Sequence, residues 1–324
     1  MGQEKSVLES YLLDGAGGAK PLSSGQLSAW QPEQGVLWVH LNYSAAEDVR
    51  WIDESSGLDP LVVEALLTED TRPRIHEMDD GLLIALRGVN LNPGADPEDM
   101  VSIRIWIEKT RIITTRRRDL VSINDVKKQF DTAKGPSNAA DFLIDLVDYL
   151  IWHMSDTIDQ FEEGVSDREE QIMGTGAASL KYELAIIRRK IITLRRYLAP
   201  QRDALARLIV EKVSWLDEDH RLRLREVNDR LLRHIEDLDA IRDRAAVAQE
   251  ELLSRLSEQL NSRMYVLSVV AAIFLPLGFL TGLLGINVGG IPGAEYPWAF
   301  WVFMGILLVI VVLQIFLFRW KNWL

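Results

Sequence analysis

Residues 265–284 read YVLSVVAAIFLPLGFLTGLL and residues 298–318 read WAFWVFMGILLVIVVLQIFLF. A helix rises ~1.5 Å per residue, so about 20 residues cross a hydrocarbon core of roughly 30 Å. Neither run contains Asp, Glu, Lys, Arg or His, and both read as membrane spans. The loop between them opens with Gly285-Ile286-Asn287 and holds no Lys or Arg. Arg263 precedes the first span; Arg319 and Lys321 follow the second. Basic residues favour the inner side of a membrane. This predicts cytoplasmic N- and C-termini, an outward loop over 286–297 and a short inner tail over 319–324.

Upstream of the first span, one helical pattern runs from Asp217 with no breaker until Pro276. Its apolar face includes Leu224, Val227, Leu231, Ile235, Leu238, Ile241, Ala245, Ala248, Leu252, Leu256 and Leu260. It continues through Met264, Leu267, Ala271, Leu275, Gly278 and Gly282 without a change of phase. The mean spacing is close to the ~3.6 of a straight helix. Neighbours must cover so long a stripe, so a stalk over 217–263, continuing as a span over 264–285 and bundling with copies of itself, is the expectation.

The rest of the chain divides in two. Residues 1–118 read as α/β, with strands expected at 36–42, 82–89, 101–108 and 111–115 and short helices at 47–54 and 60–67. A small sheet covered by helices follows. Residues 119–216 read as helical: an amphipathic segment over 119–130, a break at Gly135-Pro136-Ser137, and a helix from Asp141 to Ile172 interrupted at Gly164. After a turn at Gly174-Thr175-Gly176, another helix is expected from Leu180 to Val213. The first long helix is acidic and the second basic, which predicts that they pack against each other as an antiparallel hairpin. The predicted fold is thus an α/β cytoplasmic domain plus a long α-helical stalk and two transmembrane helices.

Composition excludes several classes. The chain has no cysteine, hence no disulfide, thiolate zinc site or cysteine nucleophile. The net charge of −12 falls almost wholly before the first span, which argues against a nucleic-acid partner. Met1–Ser6 carry no apolar core, so no cleaved signal peptide is expected. No nucleophile–base pair or phosphate-cradling Gly-x-x-x-x-Gly-Lys-[Ser/Thr] is found, so neither an enzyme nor a primary pump is expected, and no catalytic or cofactor-binding residue is assigned. His234 with Asp237, and Asp217 and Asp219 with His220, are weak Zn²⁺ candidates that more often form solvated faces.

The turn after the first span is where ion chemistry concentrates. Asn287 offers a side-chain carbonyl, and Gly285 and Ile286 offer backbone carbonyls. Repeated around a ring, neutral oxygens recognise a largely hydrated divalent ion without holding it too tightly to release. The competing reading is that Asn287 merely caps the helix in a left-handed turn. Pro276 frees the carbonyl of Ala272, Ser268 and Thr281 are the polar residues of the first span, and Glu295 stands at the outer mouth or is a solvated loop residue.

Gly285-Ile286-Asn287 at the exit of the first of two C-terminal spans resembles the CorA-type divalent metal ion transporter family. The tract Gly285–Gly293 resembles its zinc-transporting ZntB branch. Further anchors are Asp14-Gly15, His40-Leu41-Asn42-Tyr43, Thr71-Arg72-Pro73-Arg74, Arg195–Arg202, Phe274-Leu275-Pro276 and the close, Lys321–Leu324. The resemblance implies a homopentameric funnel in a bacterial inner membrane, its first spans lining the pore. Pore-facing positions then fall on Met264, Leu267, Ala271, Leu275, Gly278, Gly282 and Asn287. It implies Zn²⁺ uptake coupled to protons, with no tightly bound cofactor and with Mg²⁺, Co²⁺, Ni²⁺ or Cd²⁺ as other cargoes. Gly278 in mid-pore and a thinned C-terminal basic cluster depart from the magnesium channels. The alternatives are a Mg²⁺/Co²⁺/Ni²⁺ channel and a membrane-anchored scaffold.

Overall fold

The structure is a computed structural model that describes residues 8–69, 72–173, 179–285, 293 and 295–321. Contacts divide the chain into two compact units, one up to Glu250 and one from Glu251. The first holds strands β1 (Glu9–Leu13), β2 (Ala19–Pro21), β3 (Leu37–Asn42), β4 (Arg74–Met78), β5 (Gly81–Gly88), β6 (Val101–Ile107) and β7 (Arg111–Arg116). Interleaved or following are helices α1 (Ser24–Ser28), α2 (Ala46–Arg50), α3 (Pro60–Leu67), α4 (Val121–Asp131), α5 (Ala139–Trp152), α6 (Met154–Met173) and α7 (Ser179–Val210). Helix α8 (Glu218–Leu284) begins in this unit and ends in the second, which also carries α9 (Ala299–Trp320).

The sheet has seven strands in the order β2-β1-β3-β7-β6-β5-β4, with β3 and β7 parallel and every other pair antiparallel. It is larger than expected because β1, β2 and β4 are short and partly exposed, without the apolar runs of the central strands. Both faces of β3 are covered, all six of its residues being buried, His40 and Asn42 among them. Leu37, Val39 and Leu41 join Ile52, Val62 and Leu66 in one core cluster. On the other face Trp38 stacks near Phe142 of α5, ring centroids 4.8 Å apart.

Beside Trp38 lies a closed polar network. The Trp38 indole donates to Thr114 Oγ1 at 2.9 Å, and His40 Nδ1 meets the same oxygen at 2.8 Å. Arg116 Nε donates to His40 Nε2 at 2.9 Å. His40 must therefore carry its proton on Nδ1 and stay neutral, and burial followed by the Arg116 charge holds its pKa well below the ordinary value. Two family anchors also acquire physical roles. Asp14 Oδ1 accepts from the amides of Ala16 and Gly18 and closes the β1–β2 turn, with Gly15 at φ 76°. In Arg195–Arg202, Gln201 Oε1 takes the Arg87 amide at 2.7 Å and the Tyr197 ring lies 4.1 Å from the Arg87 guanidinium, fastening α7 to β5.

Two helical expectations change. The helix over 141–172 breaks at His153, not Gly164. His153 Nε2 is held 2.6 Å from Asp125 of α4, whereas Gly164 lies inside α6 and its missing Cβ lets Ile187 approach. Helices α6 and α7 do pack together, joined by Arg168 and Glu183 at 3.1 Å. The main partner of the acidic residues, however, is the start of α8. Arg223 binds Asp141 and Asp145 at 2.8 Å each, Arg230 binds Asp148, and Arg244 binds Glu162 and Glu169. The basic residues of α7 look elsewhere: Lys190 to Asp96 and Glu98, Arg195 to Asp239. Exposed pairs are worth at most ~1 kcal/mol each, so they fix register more than stability. The turn expected at Gly174-Thr175-Gly176 lies outside the described residues.

Candidate functional site

Met264, Leu267, Ala271, Leu275, Gly278 and Gly282 recur every three or four residues on α8 and so share a face. Within the chain that face is open: Leu275 is 71% exposed, and a Cβ built on Gly278 or Gly282 would meet nothing within 4 Å. The upstream part of the same stripe is covered, Leu224 through Ala248 being buried within the first unit. The neighbours that the stripe requires are supplied, for that part, by the chain itself.

The two hydroxyls of the span do not stand free. Ser268 Oγ donates to the Met264 carbonyl at 2.8 Å, and Thr281 Oγ1 reaches the carbonyls of Leu277 and Gly278 at 2.9 and 3.1 Å. Such back-bonding keeps a polar side chain satisfied in an apolar helix. Helix α8 runs through Pro276 unbroken. The carbonyl that this proline leaves without an amide, Ala272, receives Gln314 Nε2 of α9 at 3.4 Å. Sequence reasoning identified the freed carbonyl but missed its partner. The signal was available, since Gln314 is the one amide side chain in an otherwise apolar second span.

Gly285 closes the last turn by donating to the Thr281 carbonyl at 2.9 Å. A Cβ at this position would stand 2.8 Å from that same oxygen, so only glycine fits. Ile286 and Asn287 lie outside the described residues. Glu295 is exposed. Around Gly285 a cavity of about 460 Å³ is lined by Thr281, Leu284, Tyr296, Trp298 and Phe303. Aromatic residues cluster at the start of α9, and Trp320 with Arg319 and Lys321 marks its other end, as expected of residues at a membrane–water interface.

Of the two weak zinc candidates, the one at Asp217 is part of an ordinary helix cap. Asp217 accepts from the His220 amide at 2.9 Å and lies 2.7 Å from its Nδ1, which makes it the cap of α8. Bonds to backbone amides, that of His220 first, lower its pKa. His234 is shifted below its ordinary value, chiefly by burial. No cluster of three metal-ligating side chains occurs among the described residues.

An α/β unit is followed by two helices, each with an apolar stretch long enough to cross a membrane and unburied within the chain, the make-up of a membrane protein with two spans. Residues 33–320 match the family model described as CorA-like Mg²⁺ transporter protein, and the chain belongs to that family of ion transporters; it is not an enzyme. It is 39% identical to the divalent cation transporter CmaX of Pseudomonas aeruginosa, over 100% of this chain and 98% of the relative. It is 37% identical to the zinc transport protein ZntB of Pectobacterium carotovorum, over 95% and 93%. The structure of full-length CmaX superposes with a TM-score of 0.87 at 38% identity, covering 99% of each chain. The CorA magnesium transporter of Methanocaldococcus jannaschii shares the fold at 17% identity, with a TM-score of 0.85 over 99% of this chain and 100% of its own. The expected α/β domain, long helix and paired spans are all present.

Proposed function

We propose that this CorA-family divalent cation transporter carries Zn²⁺ inward, coupled to protons, through the axis of a homopentamer in the bacterial inner membrane, with both termini cytoplasmic. One observation carries the reading: the apolar stripe of α8 is covered by its own chain as far as Leu252 and bare from Leu260 onward. A bare face of small and apolar residues leading to a glycine that no other residue can replace suits a pathway shared among copies. Met264, Leu267, Ala271, Leu275, Gly278 and Gly282 then line the path, Gly285, Ile286 and Asn287 supply the carbonyl ring, and Glu295 attracts cations at the mouth. The ZntB relatives support zinc as cargo. An inward gradient of ~100 mV gives a divalent ion about 4.6 kcal/mol, so no nucleotide is needed.

The test is metal flux into proteoliposomes across Zn²⁺, Mg²⁺, Co²⁺, Ni²⁺ and Cd²⁺, with and without a pH gradient. Zinc uptake should rise when the outside is acidic, and Asn287→Ala should abolish discrimination among metals. Zinc flux indifferent to the gradient ends the coupling assignment. Unchanged selectivity in Asn287→Ala ends the filter assignment.

A further inference from the structure

Helices α8 and α9 form an antiparallel pair, and two observations set its register. Gln314 Nε2 reaches the Ala272 carbonyl at 3.4 Å, and Thr281 lines one cavity with Phe303 and Ile306. A step of seven residues returns nearly to the same side of a helix. One such step beyond Gln314 is Lys321; one step before Ala272 is Tyr265. Arg319 and Arg263 lie within about one turn of that level. Arg263, Arg319 and Lys321 therefore gather at the end of the pair away from Gly285, and all three are exposed. Beside them α9 exposes Leu313, Phe316 and Trp320 at helical spacing.

In a chain of net charge −12, residues 259–284 and 299–321 contain these three cations and no Asp or Glu. Farther up α8 the arginines find carboxylates: Arg242 with Asp239 and Asp243, Arg244 with Glu162 and Glu169, Arg255 with Glu251. Among the described residues no carboxylate pairs with Arg263, Arg319 or Lys321. Arginine keeps its charge in any surrounding, and long basic stems carry their heads to the membrane surface. A headgroup of net negative charge is attracted there roughly fivefold per basic residue, and the fork of an arginine matches two oxygens of a phosphodiester. The apolar strip of Leu313 and Phe316, which Arg319 caps one turn on, suits an acyl chain. We propose that this end of the span pair binds one anionic phospholipid per chain. Arg319 and Lys321 hold its phosphate, Arg263 flanks it, and Tyr265 and Trp320 stand at headgroup depth. Such a lipid site depends only on the two spans, not on the cargo or its direction.

The experiment is native mass spectrometry of the full-length protein, stripped of lipid in detergent. It is titrated separately with phosphatidylglycerol and with phosphatidylcholine of the same acyl chains. Phosphatidylglycerol should saturate at about one per chain and bind about tenfold or more tightly than phosphatidylcholine. Arg319→Gln/Lys321→Gln should lower that ratio about fivefold or more, while Arg319→Lys keeps most of it because the charge remains. Arg255→Gln, about 12 Å along α8 from Arg263, should leave it unchanged. Circular dichroism checks the fold of each variant. Should the double variant misfold, the ratio of the unaltered protein must fall as ammonium acetate rises from about 50 to about 500 mM. Equal binding of the two lipids overturns the proposal, as a neighbouring copy covering the cations would produce. So does an unchanged ratio in the folded double variant, a ratio indifferent to salt, or an equal loss in Arg255→Gln, the mark of a diffuse field.

Discussion

Helix α8 carries one apolar face through two different solvents. From Leu224 to Leu252 that face is buried beneath the chain's own side chains; from Leu260 to Gly282 it is exposed within the chain, apart from a half-buried Ala271. The residue types differ in the same sense. The covered part uses Leu, Ile, Val and two alanines but no glycine, while the bare part mixes Leu and Met with Ala271, Gly278 and Gly282. Periodicity alone does not separate a packed face from one bordering lipid, a copy or a pathway; what lies opposite decides.

The sharpest way to break the comparison is the same truncation on both parts. Leu238→Ala, at a fully buried position, should cost about 2–5 kcal/mol of the stability of the first unit. Leu275→Ala should cost well under 1 kcal/mol while altering zinc flux several-fold. Denaturant titration and proteoliposome flux read the two effects. Equal stability losses would mean that Leu275 packs in an interface and does not border a path.

A smaller effect concerns pH. The spans contain no Asp, Glu, Lys, Arg or His, so pH-dependent stability near neutrality arises outside them. His40 is held neutral, with its folded pKa below the unfolded value of ~6.5. Below that pH the unfolded chain binds the extra proton, so stability is complete above about 6.5 and falls as pH drops. Urea titrations at pH 5 and pH 7.5 should show this loss, and His40→Gln should reduce it. Asp145 acts with the opposite sign: burial raises its pKa to about 6 despite Arg223, so its own contribution declines as pH rises toward that value.

The smallest effect tests the contact between the spans. Gln314→Leu should cost about 0.6 kcal/mol, the ordinary worth of a hydrogen bond between membrane helices. The same substitution in a Pro276→Ala background should cost nothing further, because Ala272 then regains an amide from its own helix. Thermal unfolding in nanodiscs measures the cycle, and equal costs in both backgrounds would remove the role assigned to Gln314.

Much of this architecture is legible from residues alone. The central strands announce themselves by segments rich in β-branched and other apolar residues, and α8 by a stripe that never changes phase. The rim strands do not: β4, reading Arg74-Ile75-His76-Glu77-Met78, buries only Ile75, so periodicity has little to report. The break at His153 was hidden because its cause, Asp125, comes from another helix. Charge composition suggested that α5 and α6 face α7, yet their carboxylates turn mainly to arginines spaced along α8, a choice set by packing. At the candidate site, the sequence marks Gly285 as a carbonyl donor, whereas the structure adds a steric demand, a Cβ there standing 2.8 Å from the Thr281 carbonyl oxygen. Gln314 drew no reading from the sequence, and its acceptor on the neighbouring helix supplies one.

The rims of the sheet have a consequence for how copies of this chain associate. An open strand invites foreign backbone to extend the ladder. Here β2 offers three residues and ends in Pro21, which has no amide to give, while β4 presents Arg74, His76 and Glu77 and lies against α7. Neither border is a hospitable template. Self-assembly by strand addition is discouraged at both margins, and any seam between subunits is left for the helices to make.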